Sequence, residues 1–132
     1  MKIVDIILKV VLTLILLLPV VGTTGLLGEA TRDLYNTDLA FSFIEVLTEV
    51  MYINIIMAVV HVIAIIALWT KREPLAALLI LPITVNVFAF HAVIDGGPFT
   101  AGAVLGNIML LINLYFIWKY RNAYRSLLAP RA

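Results

Sequence analysis

From the amino end, apolar positions come in four long runs, at roughly Ile6 to Leu27, Phe43 to Trp69, Pro74 to Ile94 and Phe99 to Trp118. Each is long enough for the ~20 helical residues that cross ~30 Å of hydrocarbon at ~1.5 Å per residue. None alternates polar and apolar residues as a barrel strand does, and only helices and closed barrels satisfy their backbone groups in lipid. The pattern therefore predicts an all-α, integral membrane four-helix bundle, one transmembrane domain over residues 1–132 with spans at about 6–27, 43–69, 74–94 and 99–118. Pro19 is expected to kink the first helix, Pro74 to open the third, and Gly96-Gly97-Pro98 to make the turn into the fourth. The loop at 28–42, containing EATRDLYNTDLAFS, is long for such a bundle. It holds a short surface helix or forms a lid, and an ordered cap without a ligand is the plainer reading.

Composition agrees with the pattern. Hydrophobic residues make up 64% of the chain and charged residues 13%, and the mean hydropathy is +1.12, far from the soluble range. The first run resembles a secretory signal, but it is longer than one and has no small-x-small cleavage site, so it is read as a retained span. There is no cysteine, which removes disulfide relays, Cys-held clusters and covalent haem attachment. Nine basic and eight acidic residues nearly cancel and give no case for nucleic acid. Their placement matters more. Lys2, Lys9, Lys71, Arg72, Lys119, Arg121, Arg125 and Arg131 lie at the N-terminus, the second loop and the C-terminus, and only Arg32 lies in the first or third loop. By the positive-inside rule both termini are expected in the cytoplasm, in a cell membrane of the bacterial inner-membrane kind. Trp69, Trp118, Tyr120 and Tyr124 cluster at the inner ends as an aromatic belt would.

Polar residues within the runs are the candidates for chemistry, because they cost free energy in lipid unless they find partners. Counting from the inner ends at ~1.5 Å per residue puts His91 ~25 Å up, with Asn54 at nearly the same height. Asn86 and Asn107 fall at ~18 Å, and His61 and Asn113 at ~10 Å. Glu45 and Glu49 share a helix face at the outer rim, just above the His91 layer. Two histidines in a four-helix membrane protein suggest a b-type haem, but His61 and His91 differ by ~12–15 Å in height, too far to ligate one iron. No third ligand is level with either histidine, so no metal site is assigned. His91, with Glu45, Glu49, Asn54 or Asp95, reads either as a proton-exchanging group at the outer edge or as a tie between helix ends. His61, Asn86, Asn107 and Asn113 read as interhelical polar contacts, and Asn113 is the expected partner of His61 if their helix faces meet.

The second half of the chain resembles the DoxX and DoxX-like four-helix membrane proteins. PITVNVFAFHAVID is similar to the family's proline, valine-asparagine and phenylalanine-histidine segment, and INLYFIWKYRNAYRSLLAPR to its closing aromatic and arginine-rich tail. With the stretch from Phe43 through Tyr52 to Pro82, the likeness covers about two thirds of the chain. The resemblance implies several roles: the membrane part of thiosulfate:quinone oxidoreduction, partnership with redox enzymes in a membrane complex or, in animal relatives, receptor chaperoning. Two positions depart from the pattern. His61 stands where such proteins commonly carry a glutamate, and GTTGLLGEATR stands where the first helix commonly ends in a glycine followed by a lysine. A mechanism needing that acid and that lysine has no support at those positions.

Two functions are carried forward. The first is a non-catalytic accessory or scaffold subunit of a larger membrane complex, redox in kind, surrounded by membrane lipid and other membrane protein subunits. The second is a quinone-interacting component of an oxidoreductase, in which His91 with Glu45 or Glu49 exchanges protons near the outer surface. No catalytic residue and no resident cofactor is assigned, quinone being the one candidate ligand, and homo-oligomers fit either function.

Overall fold

The computed structural model describes residues 2–131, which form helices and turns without a strand among them. The helices are α1 (Ile3–Gly22), α2 (Asp38–Val50), α3 (Tyr52–Trp69), α4 (Glu73–Ile94), α5 (Val104–Lys119) and the short α6 (Arg125–Leu128). Tight 3-10 turns at Arg32–Leu34, Ala101–Ala103 and Arg121–Tyr124 link them. Four helices are long and apolar enough to cross a membrane: Ile3–Gly22, Tyr52–Trp69, Glu73–Ile94 and Ala101–Lys119. Only 17–33% of the residues in the most apolar stretch of each are buried, the others being exposed or half-buried, as suits helices in contact with hydrocarbon.

α4 packs between α3 and α5, and α1 closes the bundle, resting mainly on α3. The core runs through Leu12 and Leu16 of α1, Ala64, Ala67 and Leu68 of α3, Ala76, Ala77 and Ile80 of α4, and Met109, Ile112 and Phe116 of α5. Four of these are alanines on α3 and α4, whose small side chains let the two backbones approach. Gly106 does the same between α4 and α5, since a Cβ there would lie 2.8 Å from Val87 Cγ1. At the end of α4, Gly96 and Gly97 take φ of +87° and +111°, left-handed values that favour glycine, and a Cβ on Gly96 would press on Asn36 at 3.0 Å.

The expected second span, 43–69, is two helices. The surface helix anticipated in the 28–42 loop begins at Asp38 and continues to Val50, taking in the first part of that run. Thr37 starts it, its hydroxyl accepting from the Ala40 amide at 3.1 Å. Ala40, Phe41, Ile44 and Leu47 turn inward at helical spacing, while Asp38, Glu45 and Glu49 are exposed. The chain then breaks at Met51, whose φ is +56°. The Leu47 carbonyl accepts from the Met51 amide at 3.0 Å and from Asn54 Nδ2 at 3.2 Å, so a side chain from the next helix closes the end of α2. Hydropathy alone joins these helices, because the break carries no glycine or proline.

Candidate functional site

Asp5 and Lys9 sit one turn apart on the inward face of α1, 4% and 2% exposed. Instead of pairing with each other, they reach different helices. The Lys9 ammonium donates to Glu73 Oε1 at the start of α4, and the Lys119 ammonium at the end of α5 donates to Asp5 Oδ2. The Tyr115 hydroxyl donates to Asp5 Oδ1 at 3.0 Å. Trp69 Nε1 at the end of α3 donates to the Thr13 hydroxyl at 3.0 Å, and its ring lies 5.9 Å from the Lys9 ammonium. α1 is thus tied to α3, α4 and α5 at the end of the bundle that carries both termini. The backbone supports the placement, with a carboxylate in the first turn of α4 and an ammonium in the last turn of α5, each complementing its helix dipole. Lys2, Asp5, Tyr115, Trp118 and Lys119 line an open notch of about 520 Å³ at the same end. Beside it, burial and then the Glu73 carboxylate push the Tyr120 phenol above its usual pKa.

The opposite end is held by a second polar group. His91 Nδ1 lies 2.9 Å from Asp95 Oδ2, and Asp95 is 1% exposed. The other Asp95 oxygen accepts from the Asn36 amide at 2.8 Å, the Asp95 carbonyl accepts from Asn36 Nδ2 at 3.1 Å, and the Thr37 hydroxyl donates to the Ile94 carbonyl. The loop before α2 is thereby clamped onto the end of α4. Phe90 stands edge-on to both His91 and Tyr35, and burial, then Asp95, pushes the Tyr35 phenol up. His91 faces Asp95, while Glu45 and Glu49 are exposed on α2 and Asn54 closes that helix.

Between the two ends, polar groups bond near the prolines that interrupt helical hydrogen bonding. His61 Nδ1 is 3.1 Å from the Leu16 carbonyl, three residues before Pro19. Asn113 donates to the Ala77 carbonyl at 2.8 Å and accepts from the Thr84 hydroxyl at 2.8 Å, flanking Pro82. Neighbouring side chains commonly meet backbone groups in this way in proline-containing membrane helices. The expected His61–Asn113 pair does not form: His61 bonds the Leu16 carbonyl on α1, and Asn113 bonds Ala77 and Thr84 on α4. Asn107 Nδ2 donates to the Pro98 carbonyl at 2.7 Å. His61 Nε2 and Asn107 Oδ1 are buried without a partner among the described residues. Asn86 is exposed on the outer face of α4. Among the described residues, no three His, Asp or Glu side chains gather in a group that could hold a metal.

Fold and polar ties together define a small helical bundle of four membrane-length helices, fastened at both ends. No family model, curated protein or solved structure matches the chain. Asp5, Lys9, Glu73, Tyr115 and Lys119 were not singled out as site residues by sequence reasoning. The signal was there, since opposite charges lie at the same ends of three apolar runs.

Removing one partner of a buried ion pair strands the other. Lys9→Met should therefore destabilise the detergent-solubilised protein by about 3 kcal/mol, and Lys9→Met with Glu73→Gln should recover much of that loss. Thermal unfolding of the single and double variants measures both. At the other end, His91→Ala should cost about 1–3 kcal/mol by leaving Asp95 short of a donor, and His91→Gln should restore most of it.

Proposed function

We propose that the chain is a DoxX-like multi-pass membrane protein serving as a non-catalytic accessory or scaffold subunit of a larger, redox-type membrane complex. The observation that carries this reading is the mutual pairing of its inward charges. A group that exchanges protons with a substrate must be free to change partners, whereas Lys9, Glu73, Asp5 and Lys119 join one helix to another. The apolar outer faces of the four long helices leave room for neighbouring subunits and lipid. The likeness of PITVNVFAFHAVID and the arginine-rich tail to DoxX proteins supports the same reading, because those proteins partner redox enzymes. The eight-to-one distribution of basic residues supports a cell-membrane location, of the bacterial inner-membrane kind, with both termini cytoplasmic.

One observation favours a quinone-interacting role instead. A groove of about 330 Å³, open at the side of the bundle, is lined by Thr23, Ile55, Ala58, Val59, Val62 and Ile63. His61 lies on the same stretch of α3, buried and outside the groove's lining, with Nε2 lacking a partner among the described residues. With Nδ1 donating to Leu16, that nitrogen is an acceptor and suits a quinol hydroxyl rather than a quinone carbonyl.

Mild extraction separates the two roles. The accessory role predicts that the chain migrates with other membrane subunits in stoichiometric amount and that the purified chain does not turn over quinol. Quinol oxidation by the chain alone with an artificial electron acceptor supplied, lost in His61→Gln or His91→Gln while both variants stay folded, would favour the quinone role. Orientation is tested separately: cysteines placed at Thr37 and Ser126 should react with an impermeant thiol reagent from opposite sides of the membrane.

A further inference from the structure

Asn86 sits ~20 Å along α4 from Glu73 at ~1.5 Å per residue, well within a hydrocarbon layer of ~30 Å. It points away from the bundle, since Glu73, Ala76, Ala77, Ile80 and Thr84 mark the buried side of α4 and Asn86 is exposed on the other. Unlike Asn54, Asn107 and Asn113, it makes no side-chain hydrogen bond among the described residues. An amide carries two donors and an acceptor oxygen, and lipid tails satisfy none of them.

The residues in line with Asn86 form a pattern. Leu75, Leu79, Pro82, Asn86, Ala89 and Val93 follow one another at alternating spacings of four and three, all exposed or half-buried. That is the spacing of a helix–helix seam that crosses at a shallow left-handed angle. Pro82 and Ala89, the compact members, flank Asn86, so two backbones can come close enough there for a short amide to reach across.

We propose that this stripe is the seam of a homodimer, its occupant a second copy of the chain inserted in the same direction and related by a two-fold axis along the membrane normal. The symmetry places both Asn86 amides at one depth. The amide is self-complementary, each N–H donating to the other's C=O, so the second copy supplies the missing partner at the required height. A single asparagine in an otherwise apolar seam also fixes register and strand number. The seam does not depend on the accessory role.

The absence of cysteine allows single thiols to be introduced without background. In oxidised native membranes, Ala89→Cys and Val93→Cys should each give a disulfide-linked species of twice the chain's mass, because facing thiols come within bonding reach only at the seam. Leu111→Cys on the outer face of α5 and Val59→Cys on that of α3 should not. In proteoliposomes diluted with lipid, Asn86→Leu should weaken dimerisation roughly 3- to 20-fold, the range expected for an interhelical hydrogen bond in a membrane, and Asn86→Gln should retain it. Equal linking at Leu111→Cys and Val59→Cys would overturn the seam. So would linking of Val93→Cys only to a different protein, or an Asn86→Leu variant that dimerises as tightly as the parent.

Discussion

A charge or unpaired polar group in an apolar medium must find a partner or raise the free energy of the whole fold, and the rest of this structure follows from that constraint. Lys9 is 2% exposed and Asp5 is 4% exposed, on a helix otherwise built to dissolve in hydrocarbon. Their partners, Glu73 and Lys119, come from two different helices, so one face of α1 fixes the positions of α4 and α5 together. Apolar packing cannot do this alone, because in lipid it distinguishes poorly between one rotation of a helix and another. The ion pairs select the rotation, and the alanine-rich contact of α3 and α4 and the close approach at Gly106 are compatible with it.

The two ends use different chemistry for the same purpose. At the end with the termini, full charges bridge helices distant in sequence. At the other, Asp95 gathers one imidazole and one backbone amide and holds a loop. The first arrangement sets how the helices stand, and the second sets where the surface helix α2 begins. Between them, backbone carbonyls close to Pro19 and Pro82 receive His61 and Asn113, so helix interruptions and interhelical contacts coincide.

Much of the architecture could be read from the chain because it depends on one coordinate, distance along a helix. The four apolar runs, the proline opening α4 and the glycine turn after it are of this kind. Depth is a coordinate of the same kind, and residue counts give His61 and Asn113 similar heights. The direction in which a side chain points around the helix is a second coordinate that counting does not supply, so counts alone leave open whether His61 meets Asn113, and the two bond different neighbours. The charged ties went unrecognised for another reason. Lys9 and Lys119 read along the chain as markers of orientation, a role in which a lysine needs no partner, and Asp5 stands just ahead of the first apolar run, where a terminal charge is ordinary. The break at Met51 left no mark because a left-handed methionine looks like any other apolar residue.

That break also sets a length. Ending α2 at Val50 leaves α3 with 18 residues against 22 in α4, or ~27 Å against ~33 Å at ~1.5 Å per residue. Neighbouring helices that differ by ~6 Å share one hydrocarbon slab by tilt of the longer, by extension of its polar ends into the headgroup layer or by thinning of lipid around the shorter. Where lipid adjusts to α3, a thin bilayer suits the bundle. A left-handed residue at the rim would in this way act on the surrounding lipid as well as on the fold, giving the protein a preference among membranes by thickness alone.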